Sequence, residues 1–182
     1  MPRLPEITSR DQLPEDERHV WDYVEKSRGR VGLPYSVFLH HPELALRKLE
    51  VGHFVRFDTS LARNVSELAI CAAAREMDCR FEWAMHATAA ERVGISEAAM
   101  RAIETRGDLA GLSEEEALPI RFARLLLRGH RVDDATYAEA VSKYGERGVL
   151  ELTLTVGYYA MSACWMNVME IEPPADRPQL PV

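Results

Sequence analysis

The chain has 182 residues, 47% of them hydrophobic and 28% charged, the composition of one domain large enough for a real hydrophobic core. Its net charge of −7, with no local Lys/Arg cluster, argues against a nucleic-acid partner, and the lack of a long apolar run argues against a membrane-spanning helix. The acid- and proline-rich N-terminus is no secretion signal, and three cysteines, Cys71, Cys79 and Cys164, form no disulfide framework, so a reducing, cytoplasmic setting is expected.

Residues 1–13 read as an extended, proline-marked lead-in, and 14–30 as a helix with Pro14 in its first turn. The chain then bends through Gly32 and Pro34 before Pro42 opens a helix over 42–57, with Leu44, Leu46, Leu49 and Phe54 along its apolar stripe. Thr59 or Ser60 is expected to cap the following helix, which runs through RNVSELAICAAAREM. Asp78 caps the next, CRFEWAMHATAAERVG, and Gly94 stops it. A short helix ends at Gly107, and SEEEALPIRFARLLLRG (113–129) opens with Ser113 and Glu116 in capping-box spacing. A further helix stops at a glycine, Gly145, and 146–171 is long enough and poor enough in turn residues to be helical despite its β-branched residues. The tail EPPADRPQLPV reads as extended over the surface or over a neighbouring subunit. No segment alternates with period two, and the expected fold is all-α.

An internal echo links 67–86 to 151–170 at an offset of 84 residues, with Glu67 on Glu151, Leu68 on Leu152 and Met77 on Met161. The polar residues Cys79, Glu82 and His86 do not repeat.

Those three residues are the candidates for chemistry. At about 100° per residue, Cys79 and His86 lie roughly 20° apart on a helix, and Glu82 sits about 40° from His86. The i,i+4 pair can touch. Taken singly, the cysteine is a small hydrophobe and the Glu–His pair a surface contact. Their neighbours Phe81, Trp83, Ala84, Met85 and Ala87 are mostly apolar, so the helix is buried and its polar stripe must find partners or line a cavity. With Asp78 as cap, Cys79 falls in the first turn, where free N–H groups favour thiolate. Glu67 reaches the same place if the two helices fold back on each other. Cys79, Glu82 and His86 also resemble a zinc or iron ligand set, although three ligands from so short a stretch would crowd.

The pattern resembles the carboxymuconolactone decarboxylase superfamily, whose other branch is alkylhydroperoxidase D (AhpD). Glu67, Cys79, Glu82 and His86 fall at the spacings of that family's Glu, Cys, second Cys and His, and GLPYSVFLHHPELA (32–45) and TSLARNVSELAI (59–70) are similar to its lead-in. The resemblance covers about residues 30–106 of a single domain spanning 1–182, with the C-terminal half as a degenerate second repeat. It implies an AhpD-like helical fold, assembled as a trimer or hexamer with the site near a subunit interface; proton-transfer chemistry at such a site requires no cofactor or metal. Glu82 stands where the hydroperoxidase branch has a second cysteine, and neither Cys71 nor Cys164 is at resolving spacing. The residues therefore favour proton transfer on a small organic acid or lactone: His86 as general acid or base, Glu67 orienting it, Glu82 as a second acid–base group. The alternative is a single-cysteine peroxidase at Cys79. His40, His41 and His53 have weaker claims on the site, and Tyr35, Phe38, Phe54, Phe81, Trp83 and Trp165 are candidates for an aromatic wall or for core.

Overall fold

The computed structural model describes residues 1–181, and every regular element among them is helical. In chain order these are α1 (Arg18–Arg28), α2 (Tyr35–Phe38), α3 (Pro42–His53), α4 (Arg63–Glu76), α5 (Arg80–Arg92), α6 (Glu97–Glu104), α7 (Glu114–Gly129) and α8 (Asp134–Val168). The all-α expectation holds, and the expected break at Gly145 is real. There the backbone turns to φ 70°, ψ 172°, so α8 is two helices meeting at a kink.

α4 is the axle. Every residue from Val65 to Ala74 is buried, because α5, α6, α7 and α8 pack round it. A helix buried on all sides must be apolar or have its polar groups satisfied, and Ser66 and Glu67 are its exceptions. Its C-terminal Glu76 lies among Arg106, Arg124 and Arg128, with Arg128 binding both carboxylate oxygens at 2.6 and 2.7 Å. A second core joins the lead-in to α1 and α3 through Ile7, Leu13, Val20, Trp21, Val24 and Leu49. The lead-in is tied down by Ile7 N–H donating to Ser36 O at 2.8 Å and Arg3 N–H to Met169 O at 2.9 Å. The tail is anchored too: Leu180 is buried in the main core of its own chain, while Val182 lies outside the described residues.

Several local expectations are corrected. α3 buries Ala45, Lys48, Leu49 and Gly52, whereas Leu44 and Phe54 are exposed. The apolar side chains were the visible signal, but the face turned inward is one that admits a lysine. α3 also stops at His53, and Phe54–Asp58 continues as a wider π turn. Neither Thr59 nor Ser60 caps α4. Its N-cap is Ala62, and Ser60 instead donates its N–H and Oγ–H to Glu151 at 2.7 and 2.6 Å. Ser113 does cap α7, but the Glu116 side chain reaches across to Ser96, the N-cap of α6, and so fastens one helix start to another. The helical turn of α2 escaped prediction because Pro34 and Gly32 flank a stretch too short to show a period.

The sequence echo has a structural counterpart. Arg63 pairs with Glu67 at 2.7 Å, and Arg147, 84 residues on, pairs with Glu151 at 2.9 Å in the same i,i+4 manner. Beyond that the two segments differ. Residues 67–86 cross the turn between α4 and α5, while 151–168 run on in one helix.

Candidate active site

The turn between α4 and α5 creates the site. Asp78 takes a left-handed conformation (φ 48°), which an aspartate tolerates better than most residues, and its carboxylate is held by Arg75 and by Arg106 at 2.8 Å. Cys79 N–H closes the end of α4 on Ala74 O at 2.8 Å. The N-cap of α5 is therefore Cys79 rather than Asp78, one residue later than expected. With α5 folded back along α4, His86 comes level with Glu67.

The two side chains meet in the interior. Glu67 has no exposed surface and His86 only 2%, and His86 Nδ1 lies 2.6 Å from Glu67 Oε2. A carboxylate only accepts, so Nδ1 carries the proton of this bond and Nε2 is left for chemistry. Burial pushes the Glu67 carboxyl up, but the hydrogen bond from His86 and the charges of His86, Arg63 and Arg56 outweigh it and hold the group below its ordinary value. Arg63 Nη2 is 2.7 Å from Glu67 Oε1, close enough for an ion pair but off the hydrogen-bonding direction. On the other side, Glu82 Oε2 stands 3.5 Å from His86 Nε2, a charge contact too long for a good hydrogen bond. Tyr159 presses against the imidazole edge-on, with ring centroids 4.8 Å apart.

This line of Arg63, Glu67, His86 and Glu82 ends in a cavity of about 200 Å³. α5 supplies Phe81, Glu82, Met85 and His86 to its wall, and α8 supplies Tyr158 and Tyr159. The N-terminal elements supply further lining: Arg28 from α1, Tyr35 from α2, Lys48 and Gly52 from α3, and Arg56 from the π turn. Three cations thus share the cavity with one carboxylate and one imidazole. Lys48 is only 8% exposed. Burial is the main cause that brings its amine down from 10.5 to about 8; Glu82 opposes this and Arg28 adds to it. The amine donates to Tyr158 Oη at 2.8 Å, and that hydroxyl donates to Lys48 O at 3.3 Å. The Tyr158 phenol is held protonated, chiefly by burial. Gly52 makes room for it: a Cβ there would sit 2.0 Å from Tyr158 Oη.

Cys79 behaves differently from expectation. It is fully buried, beside Val37, Phe81, Ala163 and Met166, and is not among the cavity-lining residues. The N–H groups of Glu82 and Phe81 favour its thiolate, as a helix start should, but burial outweighs them and the thiol is pushed up to about 12. Cys71 is buried and raised likewise, and Cys164 is exposed. Glu67, Glu82 and His86 therefore converge, and Cys79 stands apart. Among the described residues no three His, Cys, Asp or Glu side chains are arranged to hold a metal ion.

The other candidates are placed as follows. Tyr35 and Phe81 line the cavity, Phe38 and Trp165 stack 4.7 Å apart beside Lys48, Trp83 is core and Phe54 exposed. His40 binds Pro5 O at 2.7 Å, His41 accepts from Leu44 N–H at the start of α3, and His53 faces Asp58. The cation wall was missed. Arg63, four residues before Glu67, was legible by helical spacing; Arg28, Lys48 and Arg56 lie on separate elements whose packing no local pattern reveals.

No family model matches the sequence, and neither does any curated protein. Solved structures do match the fold. An uncharacterized peroxidase-related protein from Ralstonia eutropha JMP134, described as an alkylhydroperoxidase AhpD core, superposes with a TM-score of 0.77 at 16% identity, over 96% of this chain and 93% of that one. A peroxidase-related protein from Silicibacter sp. TM1040 gives 0.75 at 14% identity, over 96% and 95%. The fold is AhpD-like, as the motif implied.

Proposed function

We propose that the cavity carries cofactor-independent acid–base chemistry of the lyase type on a small organic acid or lactone. The observation that supports it most is the buried Glu67–His86 bond, which fixes the imidazole with Nε2 free at a cavity that also holds Glu82. His86 moves the proton. Glu67 orients the ring and stabilises its charged form, and Glu82 is the second acid–base group, placed to exchange a proton with Nε2 or with substrate. Arg28 and Arg56 supply the positive charge that draws in a carboxylate. Substituting His86→Gln should abolish turnover of a small enolisable lactone acid, and a rate near that of the unaltered protein would sink the assignment.

A second reading follows from the likeness to peroxidase-related structures, with Cys79 reducing peroxide. The thiolate is the nucleophile in that chemistry, and a sealed thiol raised to about 12 is poorly suited to it. Peroxide treatment followed by mass spectrometry separates the two: a sulfenate on Cys79 supports the second reading, an unchanged thiol the first. The chain is further expected to act as a homo-oligomer in the cytoplasm. Leu44, Val51, Leu154 and Met161 expose an apolar strip across α3 and α8, which supports assembly.

A further inference from the structure

Lys48 stands outside the proton chain. The sequence has three lysines; Lys26 and Lys143 are exposed, and Lys48 alone is buried. It lines, from α3, the same cavity as Glu82 and His86. Its amine makes one hydrogen bond, to Tyr158, and otherwise meets aromatic faces, with ring centroids of Tyr158, Phe38 and Trp165 at 4.5, 5.8 and 6.0 Å. No carboxylate lies within ion-pair distance of it among the described residues. The groups that bear on its charge are Glu82 from α5, Arg28 from α1 and the phenol of Tyr158 from α8. An amine kept from water and unpaired with an acid is the state in which lysine becomes a nucleophile toward carbonyl carbon.

We infer that Lys48 is a covalent group of this cavity, whose neutral amine condenses with the ketone of a small 3-oxo acid; the inference rests on the lyase reading and names its substrate class. The Nζ lone pair forms a bond to the ketone carbon, and the carbonyl oxygen takes up protons and leaves as water, giving a protonated imine. The bond to the carboxylate carbon then breaks, its electron pair moves toward the imine nitrogen, and carbon dioxide leaves an enamine. His86 delivers a proton to the carbon so exposed. Water adds to the imine, the C–N bond breaks, and ketone and free amine are released. The sum is one oxo-acid carboxylate and one proton converted to ketone and carbon dioxide, with no oxidant or reductant. Tyr158, held protonated beside the amine, is placed to donate to the departing oxygen.

The test is reductive trapping of the intact protein with acetoacetate and, separately, oxaloacetate in the presence of cyanoborohydride, followed by peptide mapping. The expected result is a reduced adduct stoichiometric with the chain on Lys48 and only traces on Lys26 and Lys143. Its rate should climb as pH rises through about 8, where the amine becomes neutral. An adduct spread evenly over the three lysines, or none with either acid, overturns the inference, and because it is read on the unaltered protein no folding defect confuses it. Two variants separate this failure from failure of the lyase reading. Lys48→Arg should lose both adduct and turnover; if it turns over normally while His86→Gln is inactive, the amine has no covalent role and the acid–base reading stands alone. If His86→Gln keeps full turnover while the adduct forms on Lys48, the reverse holds.

Discussion

Replacing Lys48 by methionine should stabilise the protein at neutral pH. The folded state holds the amine at about 8 against an ordinary 10.5, a preference for the neutral form of roughly 3 kcal/mol. At pH 7 the group is charged in both states, so the folded protein bears that penalty, and methionine, of similar length and apolar, removes it. Against this, the bond to Tyr158 is lost, which costs about 1 kcal/mol; the phenol keeps its own bond to Lys48 O, now the methionine carbonyl. The net expectation is a gain of about 2 kcal/mol, or some 4–8 °C in Tm for a chain of this size. The pH dependence has a fixed sign. Between pH 8 and 10.5 the unfolded chain binds more protons at this position than the folded one, so stability of the unaltered protein rises with pH there. The advantage of Lys48→Met should hold steady below pH 8 and fade toward pH 10.5. Urea unfolding followed by circular dichroism at a series of pH values measures the difference directly. A variant less stable at pH 7, or a difference that does not change between pH 8 and 10, would refute the burial argument.

Three further outcomes are expected. Glu67→Gln keeps the shape but removes the charge shared by His86 and Arg63, and should lower stability by about 2 kcal/mol, less than a fully buried pair because Arg63 is partly exposed. Since the Glu67 carboxyl is held below its ordinary value, its contribution is present at neutral pH and lost as pH falls through the folded value; unfolding curves of the two proteins should converge in acid, and parallel curves would contradict this. A thiol reagent at pH 7.5 should modify Cys164 in the native state and reach Cys71 and Cys79 only on unfolding, as peptide mapping can show, because the latter two are sealed and raised. Gly52→Ala places a Cβ 2.6 Å from Tyr158 Cζ, so the ring must move and release Lys48; a loss of about 1–3 kcal/mol is expected by urea unfolding, and an unchanged midpoint would mean the ring swings aside freely.

The half of the site that could be read from sequence is the half built on adjacent helices. Glu67, Glu82 and His86 needed only the helical repeat and one turn between α4 and α5 to be brought together, and the structure joins them within 3.5 Å. Cys79 shared that stripe on paper. A single residue of offset made it the N-cap instead, and its burial against α2 and α8 is a tertiary fact with no local signature. The stripe on α3 misled for a related reason. Of its residues Leu49 is buried, but Leu44 and Phe54 are apolar yet face outward, while Lys48 and Gly52, which no hydrophobicity rule would select, face in.

Lys48 and Gly52 are one turn apart on α3, and each makes sense only through Tyr158 of α8. The glycine leaves the space that the phenol fills, and the phenol accepts the one hydrogen bond the amine makes. Natural cores seldom retain an unpaired lysine, because its burial lowers stability and an apolar residue of the same length would serve packing better. Here the burial is reinforced by Arg28, a second cation lining the same cavity. Such an arrangement runs against folding stability in the same cavity that the Glu67–His86 pair borders. Local conflict between stability and composition is what the proposed chemistry would require, and it involves residues the motif does not describe. On the proposed reading, α4 and α5 supply the proton machinery, whereas α1, α3 and the π turn bring the cations that would hold the acid.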